Sequence, residues 1–293
     1  MAHKAGFVNI VGNPNVGKST LMNVLVGEKL SIITSKSQTT RHRIMGIVSG
    51  EDFQIVYSDT PGVLKPNYKL QESMMNFATS ALIDADVLIY VTDIYDNKDK
   101  NQNFFEMVKK LTIPILVVIN KIDQSNQEAL EVLVETYAKE FPTAEIIPTS
   151  ALEKFNTDVL FNRIISNLPE SEAYFPKDQL TDKSERFFVQ EIIREKVLTN
   201  YDKEVPYSVE VEVEEFVHEP KIIRIGAVIH VARDSQKGII IGHKGEKLKK
   251  VGTSARIDME EFLGKKVFLQ LFVKVNKEWR DKPRALKNFG YNL

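Results

Sequence analysis

The sequence contains no cysteine and no long apolar run, and each absence excludes a class of protein. Without cysteine there are no disulfides and no thiolate metal sites, as is usual in a reduced compartment. No apolar run approaches the roughly 18 residues of a membrane-spanning helix, and the first one, Phe7–Val11, is too short for a secretory signal. The sequence therefore predicts a cytoplasmic protein without membrane spans.

The net charge of the whole chain is also close to zero, but the charges are distributed unevenly along the sequence. The 293 residues carry a net charge of −1 with His neutral, whereas residues 233–293 alone carry 15 Lys and Arg against 7 Asp and Glu, a net charge of +8. Such a basic stretch predicts contact with nucleic acid, and peripheral contact with an anionic membrane at the inner face of the cell stays open. The oligomeric state is not readable from the sequence, and a monomer is the default expectation.

Apolar runs alternate with helical patterns over residues 6–168, which predicts an α/β domain with a mostly parallel sheet and helices on both faces. The predicted strands are Phe7–Val11, Phe53–Ser58, Val87–Thr92, Ile115–Ile119 and Glu145–Ile147. The predicted helices are one opening at about Ser19 and those at Tyr68–Ile83, Asn101–Leu111, Gln127–Phe141 and Asn156–Leu168.

Residues 169–183 interrupt this periodicity with two prolines and many polar side chains, which predicts a linker. At about 150 residues per domain the length suggests two domains. We place them at 1–170 and 184–293, with the linker at 171–183. The second domain has the predicted order αββααβ, formed by a helix at 184–200, strands at 207–217 and 222–232, a glycine-rich turn at 238–245, helical stretches at 246–251 and 253–263, and a strand at 267–275.

Short motifs in the first domain follow predicted strands, at the edge where open α/β sheets bind ligands. Gly12-Asn-Pro-Asn-Val-Gly-Lys-Ser19 matches G-x-x-x-x-G-K-[ST], in which backbone N–H groups and the lysine surround phosphates and the hydroxyl binds Mg²⁺. Asp59-Thr-Pro-Gly62 supplies a carboxylate that holds Mg²⁺ through water and a glycine N–H for the γ-phosphate. These two motifs alone indicate phosphate and metal but not the base.

Two further motifs decide the base. Asp123 of Asn120-Lys-Ile-Asp123 offers two carboxylate oxygens to the paired N–H donors of guanine, which adenine lacks, and Ser150-Ala151 fits another loop against the base. The predicted nucleotide-binding residues are Gly12, Asn13, Pro14, Asn15, Val16, Gly17, Lys18, Ser19, Thr20, Asp59, Thr60, Pro61, Gly62, Asn120, Lys121, Asp123, Ser150 and Ala151.

The polar, basic segment at residues 35–43 predicts a mobile loop with a threonine that closes over Mg²⁺ and the γ-phosphate. Thr40 is the first choice for that threonine and Thr39 the second. The predicted metal ligands are therefore Ser19, Thr40 and, through water, Asp59.

With Gln38-Thr-Thr-Arg-His-Arg43 added to these motifs, the chain resembles the Era family of GTPases over nearly its whole length. The resemblance implies a P-loop GTPase domain followed by an α+β, type II KH domain, with GTP or GDP and Mg²⁺ as ligands. It also implies coupling of GTP hydrolysis to binding of the 3′ end of small-subunit (16S) ribosomal RNA in small-subunit assembly. It further rests on Tyr174-Phe-Pro176, Asp178-Gln-Leu-Thr-Asp182, Ile193-Arg-Glu-Lys196, Glu204-Val-Pro-Tyr207 and Trp279-Arg280.

The second domain carries its own nucleic-acid signal in Ile240-Ile-Gly-His-Lys-Gly245. The GxxG loop of a KH domain lets a nucleic-acid backbone approach closely, beside an apolar groove for unstacked bases. His243 either contacts phosphate or has no role, and Trp279 either stacks on a base or anchors the last strand. The predicted RNA-binding residues are Ile241, Gly242, His243, Lys244, Gly245, Lys247, Lys249 and Lys250.

One residue that many small GTPases use in catalysis is missing from this sequence. Where many small GTPases place a water-orienting Gln after Asp-x-x-Gly, this chain has Val63 and then Leu64. Hydrolysis is therefore expected to be slow unless another group or a partner completes the site. In related GTPases the residue matching Asn15 helps to hold K⁺, so the resemblance implies support of catalysis by Lys18, Asn15 and Gly62.

Other classes of function remain open at this point. A guanine-nucleotide switch with negligible turnover, regulating growth or a membrane-associated partner, keeps every nucleotide motif. A GTPase of transfer RNA modification or of a membrane channel needs a different second half, with a terminal Cys or spanning helices. A pure RNA chaperone tolerates Lys18→Ala, whereas the GTPase interpretation predicts that this substitution abolishes function.

Overall fold

The computed structural model describes residues 2–96 and 101–291, which divide into two compact units. Along the chain the boundary lies between Asp182 and Lys183, and the short stretch Tyr68–Leu70 groups with the second unit. Within the described ranges, no helix is both long and apolar enough to cross a membrane.

The first unit is built on a six-stranded sheet in the order β2-β3-β1-β4-β5-β6, in which only the β2–β3 pair is antiparallel. The strands are β1 Lys4–Gly12, β2 Ile44–Ser49, β3 Phe53–Asp59, β4 Val87–Asp93, β5 Ile115–Asn120 and β6 Glu145–Pro148. The helices are α1 Lys18–Val26, α2 Lys69–Ile83, α3 Gln102–Lys109, α4 Gln127–Glu140 and α5 Thr157–Asn167.

The predicted strands and helices of this unit are all present, and the mostly parallel sheet is confirmed. The central strands β4 and β5 are buried along their whole length, as continuous apolar runs in a parallel sheet should be. The sequence did not predict the edge strand β2, which follows a polar loop and contains Gly46. A side chain at Gly46 would lie 2.6 Å from Met22 of α1, so this glycine allows the helix to approach the sheet closely.

The segment predicted as a linker packs along this sheet. Gln54 of β3 accepts hydrogen bonds from the backbone N–H groups of Tyr174 and Phe175, at 2.7 and 2.9 Å. Further on, Ile47 of β2 donates to the Leu180 carbonyl at 2.7 Å. Residues 174–182 therefore cover the exposed edge of the sheet and satisfy its backbone groups before the second unit begins.

The second unit contains a three-stranded sheet in the order β7-β8-β9, with β7–β8 antiparallel and β8–β9 parallel. Its chain order is αββααβ, with a short additional helix at the end; the letters match the predicted order, but the two adjacent helices are not the two that were predicted. The elements are α6 Glu185–Asn200, β7 Val209–His218, β8 Ile222–Val231, α7 Asp234–Ile241, α8 Glu246–Leu263, β9 Lys266–Val275 and α9 Pro283–Asn288.

Two details of the predicted order were wrong. The glycine-rich turn predicted at 238–245 is helical up to Ile241, because Ile240 is buried in the core and Gly238 does not interrupt α7. The two helical stretches predicted after it form the single helix α8. Gly252 does not break this helix, since it lies against β9, where a Cβ would contact Leu271 at 3.4 Å.

Trp279 anchors the C-terminal segment in the second unit. Its side chain is fully buried, its indole N–H donates to the Ser208 carbonyl at 3.0 Å, and its ring packs edge-on against Phe289. Of the two roles left open for this residue, the structure supports the anchor, because a buried ring has no face on which a base can stack.

We expect Trp279→Ala to lower the free energy of unfolding of the second unit by about 3–5 kcal/mol, since it leaves a large cavity and an unpaired carbonyl. Denaturant unfolding followed by circular dichroism measures this loss. Phe272→Ala is the matched control, because Phe272 is 54% exposed and its removal should cost less than about 1 kcal/mol. Equal losses in the two variants would contradict the anchoring role.

Candidate nucleotide and RNA sites

The phosphate-binding loop joins the end of β1 to the start of α1. Gly17, directly before α1, has φ +94, and a Cβ there would lie 2.2 Å from the Asn120 side chain. Only glycine fits this position without strain. The loop therefore presents backbone N–H groups and a helix N-terminus at the same place, which is a favourable environment for phosphate.

Lys18 is buried beneath this loop. Its ammonium donates to the carbonyls of Gly12 and Asn13 at 3.1 and 2.8 Å. Burial lowers the pKa of Lys18 to about 8, and the nearby carboxylates of Asp59 and Asp96 only partly oppose this shift. A phosphate anion would supply the charge partner that this ammonium needs.

A cluster of three oxygen-bearing side chains lies beside Lys18. Ser19 Oγ donates to Asp59 Oδ2 at 2.8 Å, and Thr40 Oγ1 lies 2.9 Å from Ser19 Oγ and 3.2 Å from the same carboxylate oxygen. Thr39 lies apart, with its hydroxyl bonded to the Lys36 carbonyl at 2.6 Å. The structure thus brings together the three residues predicted as metal ligands, with Thr40 rather than Thr39 as the threonine.

This cluster suits a hard cation shared with a phosphate. Asp59 is fully buried, its Oδ1 makes no hydrogen bond, and burial raises its pKa although Lys18 opposes the shift. Among the described residues, no group of three or more His, Asp or Glu side chains could hold a metal without help. One carboxylate with two hydroxyls is the kind of donor set that holds Mg²⁺ together with phosphate oxygens and water.

The loops predicted to bind guanine are held together by Asn120. Its side-chain amide donates to the Val16 carbonyl at 2.9 Å, and its carbonyl accepts from the Ala151 N–H at 2.9 Å. Asp123 is exposed and accepts a hydrogen bond from the Ser150 hydroxyl at 2.6 Å. Asn120 therefore joins the phosphate loop to the loops predicted to bind the base, while Ser150 orients the carboxylate predicted to read it.

Sequence reasoning missed two acidic residues at the C-terminal end of β4 and just beyond it. Asp93 pairs with Lys121 at 2.5 Å, and Asp96 accepts two hydrogen bonds from the Asn13 side chain at 2.8 and 3.0 Å. Both support residues that were predicted to bind the nucleotide. The sequence could have indicated these two residues through their position at the end of a central strand. In a parallel sheet the C-terminal end of β4 lies beside those of β1 and β5, where ligands bind.

A cleft of about 360 Å³ opens over the phosphate loop. In the loop after Asp59, Thr60 and Gly62 line the cleft. The next residue, Val63, is 2% exposed and packs in the core. Val63, the residue at the sequence position of the missing Gln, therefore does not line the cleft. The lining is Pro14, Asn15, Gly17, Lys18, Ser19, Thr20, residues 32–36 and 38–40, Thr60, Gly62 and Lys121.

The GxxG loop of the second unit joins α7 to α8. Gly242 has φ +72, Lys244 φ +46 and Gly245 φ +81, and Gly245 caps the N-terminus of α8. A Cβ at Gly245 would meet no atom within 4 Å, so the space beside it is open. The backbone thus presents an uncrowded helix N-terminus to a phosphate backbone.

A groove of about 360 Å³ runs from this loop between α8 and β9. Of the lysines predicted to bind RNA, Lys249 lines the groove, whereas the Lys247 ammonium lies 6.0 Å from the centroid of the Tyr201 ring. Ile241, which was also predicted to bind RNA, packs at the edge of the core. Sequence reasoning missed most of the lining, although its spacing along α8 and its alternation along β9 were visible. The missed residues are Leu248, Gly252, Thr253, Arg256, Leu269 and Leu271.

Comparisons with known proteins cover both units. A family profile described as 50S ribosome-binding GTPase matches residues 7–121, and one described as KH domain matches residues 204–280. GTPase Era of Alkaliphilus metalliredigens is 47% identical over 294 residues, which covers 99% of this chain and 100% of the relative. GTPase Era of Staphylococcus haemolyticus is 43% identical over 291 residues, covering 99% and 97%.

Two solved structures are similar over the same length. One is a crystal structure of Era in complex with MgGDPNP and nucleotides 1506–1542 of 16S ribosomal RNA, and the other is a variant of Aquifex aeolicus Era bound to GDP·AlF₄⁻. Each has a TM-score of 0.95 at 40% identity and covers 99% of this chain and 100% of its own. The predicted fold class is therefore confirmed for both units.

Lys18 makes nucleotide affinity depend on pH. In the free protein its pKa is about 8, and phosphate oxygens stabilise the charged form, so that binding takes up a proton above this pH. We expect GDP affinity to be constant below pH 8 and to fall above it by up to about tenfold per pH unit. Calorimetric titration across this range measures the dependence.

Lys18→Arg is the control for this titration, because a guanidinium stays charged throughout. The variant keeps any titration that belongs to the nucleotide itself. The same pH dependence in both proteins would contradict the assignment to Lys18.

Proposed function

The chain belongs to the Era family of GTPases, and we propose that it couples GTP hydrolysis to binding of the 3′ end of small-subunit ribosomal RNA during assembly of the small subunit. The observation that carries this proposal is that one chain holds both a phosphate-loop cleft with a guanine-reading loop and a GxxG groove. A related Era has been crystallised with MgGDPNP and with nucleotides 1506–1542 of 16S ribosomal RNA, which supports both ligands.

In the nucleotide site, each side chain has a distinct task. Lys18 neutralises the β- and γ-phosphates, Asp123 reads guanine, and the Gly62 N–H donates to the γ-phosphate. Ser19, Thr40 and, through water, Asp59 would hold Mg²⁺, which, when bound, neutralises charge on the phosphate oxygens. Thr40 would close over Mg²⁺ and the γ-phosphate and Gly62 would face the γ-phosphate, so loss of this phosphate on hydrolysis would release both of their segments.

The residue after Asp-x-x-Gly does not contribute to catalysis, so other groups have to orient the water and stabilise the developing charge. Val63 is buried, its N–H donates to the Gly12 carbonyl at 3.1 Å, and its side chain does not line the cleft, so it cannot orient an attacking water there. Phosphoryl transfer then depends on positioning and on positive charge near the transferred group. Asn15 lies at the cleft with φ +66, and its amide donates to the Ser35 carbonyl at 3.3 Å, which joins the two loops that flank this position.

We expect GTP hydrolysis to be faster in KCl than in NaCl at equal ionic strength, because the Asn15 oxygen and loop carbonyls can hold K⁺ as the missing positive charge. Asn15→Ala should remove the difference between the two salts while GDP affinity is retained. Steady-state phosphate release measures both rates. Equal rates in the two salts for the unsubstituted protein would count against this role.

RNA coupling is tested with a short single-stranded RNA that matches the 3′ end of small-subunit ribosomal RNA. We expect this RNA to stimulate GTP hydrolysis, and Gly245→Asp to abolish the stimulation and leave the basal rate unchanged. The reason is that an aspartate at the GxxG loop repels the RNA backbone and occupies the open space beside α8.

Gly264→Asp is the matched control for this loss. Gly264 caps the other end of α8 with φ +61, and a Cβ there also meets no atom within 4 Å. An aspartate is less favourable at a helix C-terminus than at an N-terminus, so Gly264→Asp should destabilise α8 more than Gly245→Asp does. Because Gly264 lies away from the GxxG loop, this variant should still respond to RNA. No stimulation of the unsubstituted protein, with tight GTP binding, would leave a guanine-nucleotide switch whose partner lies elsewhere.

Other parts of the proposal stay predictions. If GTP favours RNA binding, RNA must tighten GTP binding by the same factor. Peripheral contact with an anionic membrane is supported only by the net charge of +8 on residues 233–293, and the monomeric state is the default expectation.

A further inference from the structure

Arg43 binds three other segments of the first unit and does not line the nucleotide cleft. Its Nη1 and Nη2 donate to the two carboxylate oxygens of Asp84 at 2.5 and 2.9 Å. Its Nε donates to Ser58 Oγ at 2.5 Å, and Nη2 also donates to Asn9 Oδ1 at 3.1 Å. The side chain is 12% exposed, and these bonds use the whole planar fork of the guanidinium.

The partners of Arg43 all belong to elements that carry the phosphate site. Asn9 lies on β1 three residues before Gly12, and Ser58 directly precedes Asp59 on β3. Asp84 directly follows α2, the helix that begins after the Asp59–Gly62 loop. Arg43 itself lies three residues after Thr40, so that one side chain joins the exit of the Thr40 loop to the far end of α2.

Two further contacts support the same connection. The His42 ring packs against Phe77 of α2 with centroids 6.2 Å apart. Asn9 also donates to Asp84 Oδ1 and to the Ala81 carbonyl, both at 2.7 Å. The end of α2 is therefore bonded to β1 and to the Thr40 segment at once.

Burial changes sharply along the Thr40 segment. Residues 33–39 are exposed or half-buried, whereas Thr40 and Arg41 are 7% and 1% exposed. Three residues span at most about 11 Å, so holding Arg43 limits how far Thr40 can move from Ser19 and Asp59. The loop is thus more exposed in its outer part and buried at the end that contains Thr40.

We propose that Arg43 is a positioning residue, which keeps Thr40 closed beside Ser19 and Asp59 and thereby sets the preference of the chain for GTP over GDP. This inference rests on the proposed role of Thr40 toward Mg²⁺ and the γ-phosphate. Lysine cannot replace arginine here, because a single ammonium cannot bond Ser58, Asn9 and both oxygens of Asp84.

The test compares the affinities for GDP and for the non-hydrolysable analogue GDPNP, both with Mg²⁺, by fluorescence titration. We expect Arg43→Lys to lower the preference for GDPNP over GDP roughly five- to tenfold, with GDP affinity unchanged. Asp84→Asn should have an effect in the same direction, and the double variant should lose less than the sum of the two. Thermal unfolding checks that each variant is folded.

Two further variants make the outcomes distinct. Arg163→Lys is the matched control, because Arg163 pairs with Glu145 at 3.1 Å at a surface site where both side chains are about half exposed; it should leave the preference unchanged. Thr40→Ala should lower the preference as Arg43→Lys does. If Thr40→Ala lowers it and Arg43→Lys does not, or if Arg43→Lys weakens GDP and GDPNP equally, the role of Arg43 is wrong. If Thr40→Ala changes nothing, the proposed role of Thr40 fails, and the inference fails with it.

Discussion

The burial of Lys18 and Asp59 side by side is the interaction on which the nucleotide site depends. Out of water, each group favours its neutral form: the pKa of Lys18 falls to about 8 and that of Asp59 rises. Phosphate and a divalent cation are the partners that would stabilise the charged forms of both groups. The site is therefore unfavourable in isolation, and the fold around it has to hold two ionisable side chains where they gain most from the ligand.

The parallel sheet makes this arrangement possible. β1, β3, β4 and β5 are neighbours, and each ends at the same edge in a residue that the site uses: Gly12, Asp59, Asp93 and Asn120. Buried apolar strands stabilise the unit, at roughly 1.5–3 kcal/mol for each fully buried aliphatic side chain, while their last residues turn polar. Residues more than one hundred positions apart, such as Asn120 and Val16, then come within hydrogen-bond distance.

The second unit builds its groove in a different way. A glycine at the N-terminus of α8 leaves open space, and one face of α8 together with β9 lines the groove beside it. These are the features that the proposed KH mode of RNA binding requires. Only one of the clustered lysines faces that groove, because adjacent residues of a helix point about 100° apart. The others contribute to the general positive field of the surface, which steers nucleic acid without selecting its sequence.

The sequence by itself determined the fold class, most of the strands and helices, and the motifs of the nucleotide site, because phosphate loops and buried parallel strands leave local patterns of glycine, lysine and apolar residues. Its errors lie where local pattern and packing differ. Edge strand β2 follows a polar loop and contains Gly46, and α7 ends in a glycine-containing stretch that only the core makes helical. Trp279 is surrounded by charges yet buried, and the structure favours the anchoring role among the two that the sequence left open. Only the tertiary structure decided that Thr40 rather than Thr39 joins Ser19 and Asp59, that Asp93 and Asp96 support the loop, and that Arg43 bonds to Asp84. These contacts join residues from separate strands and loops, and their distances depend on how the sheet and its helices pack rather than on spacing along the chain.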